Sequence, residues 1–340
     1  MKLLITGVAG FIGCHLVKRL AQDNHSIICV DNINDYYDVD LKYDRLSFIG
    51  IERDAINVCG DNKFIVSSDY PGLSFIKMDL CDQEHIMSLF REGDFDIVIH
   101  LAAQAGVRYS LTNPHAYISA NLHGFLNILE AARAYLPRHL VYASSSSVYG
   151  LNTTIPFSED DNVSKPASLY AATKRANELM AHTYSHLYHI PMTGLRFFTV
   201  YGPWGRPDMS PYIFTKAIIE EKPINVFNNG NMKRDFTYID DIIEGIIRVI
   251  GHISDGNDVV PAAIYNIGAG KPVELMDFIR ILENALNKKA IINYAPMQSG
   301  DVIATWADCS ALQRDTGFRP QTVLVDGIQK YVEWFRGYYK

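Results

Sequence analysis

Tyr170 and Lys174 stand four residues apart in Tyr170-Ala171-Ala172-Thr173-Lys174, a spacing that puts both on one face of a helix. A phenol titrates near about 10 and is a poor base at neutral pH. An adjacent ammonium favours phenolate and brings it into a useful range, so the pair reads as a proton-transfer device. Taken alone, the same spacing also describes a packed tyrosine beside a solvated lysine. A hydroxyl is the natural third member. Val141-Tyr142-Ala143 leads into Ser144-Ser145-Ser146-Ser147 and then Val148-Tyr149-Gly150. A serine at the carboxyl end of a sheet strand faces the ligand crevice, where it can hydrogen-bond a reacting hydroxyl or ketone. A plain polar loop is the alternative, and the run alone leaves open which serine would act.

The elements that must position these groups begin at the first residues. Lys2-Leu3-Leu4-Ile5-Thr6 reads as a buried strand that enters Gly7-Val8-Ala9-Gly10-Phe11-Ile12-Gly13, glycines at G-x-x-G-x-x-G spacing. His15 to Leu20 continues as an amphipathic helix. Such glycines permit a tight turn, close approach to a pyrophosphate and close helix–sheet packing, and the helix N-terminus offers free N–H groups to phosphates. Ile27-Ile28-Cys29-Val30 ends on Asp31, 18 residues after Gly13. An acid there can hydrogen-bond adenosine ribose hydroxyls and repel a 2′-phosphate, which favours NAD over NADP.

Further strand-like runs fall at Ser74–Asp79, Ile97–Leu101, Leu140–Ser144 and Met192–Phe198, with helical segments between them. This alternation predicts an α/β fold with a parallel sheet covered on both faces. Asn121 to Tyr135 has helical spacing at Leu122, Phe125, Leu129 and Ala132. Residues 35–72 are polar and irregular and receive no assignment. After Tyr201-Gly202-Pro203 the character shifts to loops and shorter elements. The expected division is therefore a dinucleotide-binding domain over 1–200, with part of 236–270 returning to it, and a smaller lobe over 201–340.

The 340 residues supply ample core, with 48% hydrophobic and 20% charged content. A net charge of −7 and the absence of a basic tail argue against a nucleic-acid partner. No Lys/Arg block exceeds a pair and the most apolar late stretch, Ile242 to Ile253, carries Glu244 and Arg248, so no membrane association is expected. The first strand follows Met1 directly, without a signal-peptide pattern, and the five scattered cysteines fit free thiols in a reducing compartment. Both point to the cytoplasm.

Together these pieces resemble the extended short-chain dehydrogenase/reductase family, and within it the NAD-dependent nucleotide-sugar epimerases, above all the UDP-glucuronate 4-epimerase group. The resemblance spans essentially the whole chain. It is carried by Gly7–Gly13, Asp31 to Tyr37, His100 to Ser110, Ser144–Gly150, Tyr170/Lys174, Arg196 to Met209 and Arg234 to Asp241. The glycine turn and Tyr/Lys pair mark only the superfamily; Gln104–Ser110 and Trp204–Met209 are the more specific blocks.

The resemblance implies a Rossmann-type doubly wound sheet with a C-terminal α/β substrate lobe, NAD as cofactor, a UDP-sugar as substrate and a homodimer built on the Asn121–Tyr135 and Tyr170 helices. It makes Ser145 the catalytic hydroxyl beside Tyr170 and Lys174. Gly7, Gly10, Phe11, Ile12 and Gly13 would cradle the cofactor. Asp31 and Asn32 would meet its adenosine ribose, Asp79 and Leu80 its adenine, and Leu101, Ala102, Ala103 and Gln104 its inner face. Arg108, Ser146, Thr199, Arg206, Arg234 and Asp301 fall to the nucleotide sugar. Family members often carry an arginine shortly before the late Gly-Asp pair; Gln298-Ser299-Gly300-Asp301 has none.

The implied reaction is redox-neutral epimerisation at C4. Tyr170 takes the 4-hydroxyl proton, hydride passes to NAD⁺, and after the 4-keto sugar turns over the hydride returns to its other face. If C6 is a carboxylate, that intermediate is a β-keto acid prone to lose CO₂. Ser145, Ser146 and Thr199 are the neutral donors expected to hold the carboxylate out of alignment. Related dehydratases and decarboxylases place acids around the serine position, and Ser144–Ser147 has none. UDP-glucose or UDP-N-acetylglucosamine 4-epimerisation remains the alternative chemistry, and a non-catalytic NAD-binding sensor the alternative class.

Overall fold

Strand β1 (Lys2–Thr6) sits at the centre of the main sheet because everything past its first residue is buried, and only a strand covered on both faces tolerates a continuous apolar run. The computed structural model describes residues 1–253, 260–298 and 300–339. From β1 the chain builds outward through β2 (Ser26–Asp31), then β3 (Phe64–Val66) and β4 (Leu73–Lys77). It returns to the other side of β1 with β5 (Ile97–His100) and extends through β6 (His139–Ser145) and β7 (Met192–Phe197). The short β8 (Thr199–Tyr201) follows at once. Later strands are β9 (Pro223–Phe227), β10 (Lys233–Tyr238), β11 (Ala262–Ile267), β12 (Pro272–Glu274) and β13 (Ile291–Ala295).

The main sheet has eight strands in the order β11-β7-β6-β5-β1-β2-β4-β3. All its pairings are parallel except β3 with β4. Chain direction across the sheet reverses between β1 and β5, which opens a crevice at their carboxyl ends, the place where doubly wound sheets bind ligands. Every strand expected from the sequence is present within a residue or two at its ends. The unassigned 35–72 region folds into helices Val39–Ser47 and Arg53–Cys59 and the antiparallel edge strand β3.

Past residue 201 the chain returns twice. The Ile239–Gly251 helix carries an apolar stripe of Ile242, Ile246, Val249 and Ile250 into the core shared with the Phe11–Leu20 helix, and β11 then pairs with β7. The remaining C-terminal elements form the β12-β10-β8 sheet, the β13-β9 pair and the helices around them. The helix expected from Asn121 begins as a wider π-turn, Ile118–His123, and becomes regular only over Gly124–Tyr135. That irregularity lies beside the site.

Candidate active site

The glycine turn leaves β1 with Gly7 at φ 79°, a left-handed conformation that a side chain would strain. A Cβ on Gly7 would also lie 2.6 Å from the Ala102 nitrogen, so the turn and the segment that follows β5 approach as closely as backbone allows. Gly10 is the N-cap of the Phe11–Leu20 helix and supplies no capping side chain, which leaves first-turn N–H groups for an anion. Asp31 ends β2 facing this turn; its carboxylate accepts from Ala9 N at 3.0 Å and from Ile33 N at 2.8 Å. Burial pushes its pKa up, against the nearby Lys42 and those two N–H bonds. Asn32 donates to Asp79 at 3.0 Å, joining the two segments expected at the adenosine end. A cradle that a Cβ would fill, an uncapped helix start and an acid at the second strand end together fit a dinucleotide.

Gly7, Gly10, Phe11, Ile12, Gly13, Asp31, Asn32, Asp79, Leu80 and Leu101 to Gln104 line one continuous cleft with Ser145, Ser146, Tyr170, Lys174, Thr199 and Arg206. Arg108, Arg234 and Asp301 lie outside that lining and form their own cluster, although Val107 and Tyr109, which flank Arg108, line the cleft. Asp301 stands 3.6 Å from Arg108 and 3.7 Å from Arg234, two cations on one carboxylate. Burial pulls the Arg234 pKa down, with Asp301 opposing that shift and Arg108 adding to it. Ser299, beside this cluster in sequence, lies outside the described residues.

The Leu169–Tyr188 helix starts on Ser168, whose hydroxyl accepts from Ala171 N at 3.1 Å, and its first turns carry Tyr170 and Lys174 into the cleft. Burial pushes the Tyr170 phenol up, and a hydrogen bond with Ser145 works against that rise. Arg206 also opposes the rise and Asp208 adds to it, and burial prevails because a buried phenolate has lost its water. Lys174 is buried too, and desolvation brings its ammonium down to about 8 against the support of Glu178. Ala143 O, at 2.9 Å, is its one hydrogen-bond acceptor among the described residues.

This sets a prediction. The native lysine titrates below its ordinary 10.5, so burying it charged costs stability below about pH 8, and the cost fades as pH rises from 8 towards 10.5. Lys174→Met is therefore expected to raise the thermal midpoint at pH 7 while abolishing turnover. A lower midpoint would refute the desolvation account.

The strand's two-residue alternation separates the serines. Ser144 turns inward and donates to Glu178 at 2.6 Å, whereas Ser145 accepts from Ser147 N at 3.1 Å and meets Tyr170. Behind Ser144, Glu178 grips Arg196 through two bonds of 2.8 and 3.0 Å and takes a third, of 2.9 Å, from Arg175. Burial works to raise the Glu178 pKa, and Arg196 outweighs it, holding the carboxyl below its ordinary range.

Several residues here escaped the sequence reading. Asn121, in the π-turn, accepts from Gln104 N at 2.8 Å and donates to Gln104 O and Thr173 Oγ1, both at 3.0 Å, tying the segment that follows β5 to the Tyr170 helix. Its signal was a polar residue on the buried side of an apolar helix. Thr6 meets His100 Nδ1 at 2.9 Å, and burial lowers that imidazole to about 3, so it stays neutral beside Lys174. Arg206 forms a partly buried ion pair: it donates to Asp208 with its Nε at 3.0 Å, and Tyr36 donates to the same carboxylate at 2.9 Å. The Asp208 charge holds the guanidinium firmly protonated, against the burial that would lower it.

Known proteins share this chain's sequence and fold. Residues 3–268 match the family model described as "NAD dependent epimerase/dehydratase family". A Staphylococcus aureus protein named CapI is 50% identical, with 100% of both chains covered. A Rhizobium meliloti protein named as a probable UDP-glucuronate 4-epimerase is 44% identical, covering 100% of this chain and 98% of that one. Among solved structures, the Bacillus cereus UDP-glucuronic acid 4-epimerase in complex with UDP-glucuronic acid and NAD superposes with a TM-score of 0.87, at 31% identity over 99% of each chain. With residues 3–268 matching the family model and relatives similar over the whole chain, this protein belongs to the NAD dependent epimerase/dehydratase family.

Proposed function

We propose that the protein is an NAD-dependent UDP-glucuronate 4-epimerase that interconverts UDP-glucuronate and UDP-galacturonate through a 4-keto sugar. The observation that carries the chemistry is the meeting of Tyr170, Ser145 and Lys174 in one cleft with the dinucleotide cradle. The substrate rests on relatives at 43–46% identity and on a solved neighbour bound to UDP-glucuronic acid.

When bound, the cofactor would supply the hydride acceptor for C4 as NAD⁺ and, reduced by that hydride, the donor that returns it. Tyr170 takes the 4-hydroxyl proton in the first half and returns it in the second, with Ser145 hydrogen-bonded to the same oxygen. Lys174, charged below about pH 8, favours the phenolate electrostatically and offers its remaining donors to the cofactor's ribose. Gly7 to Gly13, Asp31, Asn32, Asp79, Leu80 and Leu101 to Gln104 are assigned to the cofactor. The sugar end falls to Ser146, Thr199 and Arg206, and the Arg108, Asp301 and Arg234 cluster at the cleft's rim to the nucleotide. We assign cofactor binding to residues 1–200 with the returning β11 segment, and the UDP-sugar chiefly to 201–340.

A 6-carboxylate would meet the hydroxyls of Ser145, Ser146 and Thr199, neutral donors that can fix its plane. Thr199→Ala is expected to raise the KM for UDP-glucuronate by about 10–150-fold, the loss of one hydrogen bond to a charged group, or to release CO₂. Unchanged KM with no CO₂ would remove Thr199 from this role.

We further infer a homodimer and a cytoplasmic setting. Leu126 on the Gly124–Tyr135 helix and Leu179 and Leu187 on the Leu169–Tyr188 helix are exposed large apolar side chains, which supports association through these helices. No helix among the described residues is long and apolar enough to cross a membrane.

The deciding experiment is proton NMR of purified protein with UDP-glucuronate and no added cofactor. Appearance of the galacto epimer establishes substrate and retained NAD together. Conversion only of UDP-glucose or UDP-N-acetylglucosamine would keep the mechanism and replace the substrate.

A further inference from the structure

Arg45 is fully buried, and its guanidinium meets no carboxylate within ion-pair distance among the described residues. A buried cation without a counter-ion is costly, so every donor must be well used. Its hydrogen bonds go to two places that the chain keeps far apart. On one side NH1 donates to Ala9 O, inside the glycine turn, at 3.1 Å, and to the Tyr37 hydroxyl at 2.6 Å. On the other, Nε and NH2 donate to Trp204 O at 3.1 and 2.6 Å, and NH2 also reaches Gly205 O at 3.3 Å.

The second group of acceptors is strained and specific. Trp204 has φ 63°, a conformation unusual for a bulky residue that persists only when its surroundings enforce it. Its indole is pinned by Phe48 and Trp334, with ring centroids 5.5 and 5.4 Å away, while Arg45 holds its carbonyl. The next side chain after Gly205 is Arg206, in the cleft wall. One planar fork therefore fixes both the turn assigned to the cofactor and the backbone that aims Arg206.

We propose that Arg45 is a positioning residue that couples the dinucleotide turn to the Trp204–Gly205 loop, so that one buried side chain sets the cofactor half and the sugar half of the cleft together. The inference rests on the epimerase reading only for the identity of the ligand that Arg206 meets. A lysine at this position supplies a point charge without the fork and cannot span both groups of carbonyls.

The test is Arg45→Lys, with three readouts beside the wild type. These are NAD retained per subunit after purification, hydrogen exchange of peptides spanning 202–208, and the kcat and KM for UDP-glucuronate. The expected result is NAD content lowered at least twofold, faster exchange confined to 202–208 and the turn at 7–13, and KM raised tenfold or more with a smaller change in kcat. Wild-type NAD content, local exchange and KM would overturn the proposal, and so would a lowered melting temperature alone, which marks Arg45 as merely structural. If Arg45→Lys fails to fold, Tyr37→Phe removes one acceptor and should shift NAD content and local exchange in the same direction; no shift overturns the proposal. NAD content and exchange need no turnover, so a wild type inactive on UDP-glucuronate would fail the epimerase reading and leave the coupling still measurable.

Discussion

Tyr170→Phe should lower kcat for C4 epimerisation by about 10²–10⁴-fold while the protein still purifies with NAD. The substitution removes one oxygen and keeps the ring, which packs edge-on to Tyr117 at 6.0 Å, so the helix and Lys174 stay in place. No neighbour can replace the lost proton acceptor. Ser145 is a hydroxyl whose own proton is far harder to remove, and His100, lowered by burial to about 3, engages Thr6 through its Nδ1. Because the same phenol serves both half-reactions, forward and reverse rates should fall together, and KM should change little. Turnover within tenfold of the wild type would refute the phenolate assignment.

What the sequence made legible follows from how local each signal is. β1, the glycine turn and Asp31 are consecutive or nearly so, and short apolar runs broken by glycine specify strands wherever the sheet is covered on both faces. Tyr170 and Lys174 were readable because helical periodicity fixes their common face. The serine run was ambiguous as letters, yet strand alternation resolves it in the fold: Ser144 faces Glu178 and Ser145 faces Tyr170. Glu178 stands four residues beyond Lys174, so its place on the same helix face was visible; its partner Arg196, 18 residues further on in β7, was not.

Residues 35–72 were opaque for the same reason. Arg45 makes sense only against Trp204 and Gly205, up to 160 positions away, and Lys42 against the folded-back Asn34 carbonyl. In a polar segment with no periodic apolar face, such contacts leave no local trace. Asp208 likewise reads as one more acid until Tyr36 and Arg206 converge on it. Burial also works against the Tyr–Lys pair. A lysine beside a tyrosine favours phenolate, but both groups are desolvated and burial pushes the Tyr170 phenol up, which leaves the positive nicotinamide of NAD⁺ as the charge that would offset it.

Glu178→Gln should cost about 3–5 kcal/mol of stability, the penalty for leaving a buried charge without its partner. Glu178 is wholly buried at its side chain and Arg196 is 2% exposed, so water cannot replace the lost carboxylate. Two bonds to Arg196 and those from Ser144 and Arg175 converge on its two oxygens. Arg196 in turn donates to Tyr149 at 3.0 Å, and Tyr149 to Asn266 at 2.6 Å, so the network reaches from the Tyr170 helix through β7 to β11. The thermal midpoint should fall by roughly 4–7 °C in a chain of this length. The carboxyl titrates below its ordinary 4.5 in the folded protein, so its contribution is complete above about that pH and is lost as pH falls through the native value. The wild type and the variant should therefore converge in stability under acid and diverge towards neutrality. Replacing both partners by apolar residues, Glu178→Leu with Arg196→Met, should recover much of the loss, because the expense lies in the orphaned charge. Turnover should stay low in that double variant, since Ser144 still lacks its acceptor and the strand end that aims Ser145 is released. A single-variant cost below about 1 kcal/mol would show that water or the substituted amide oxygen relieves Arg196.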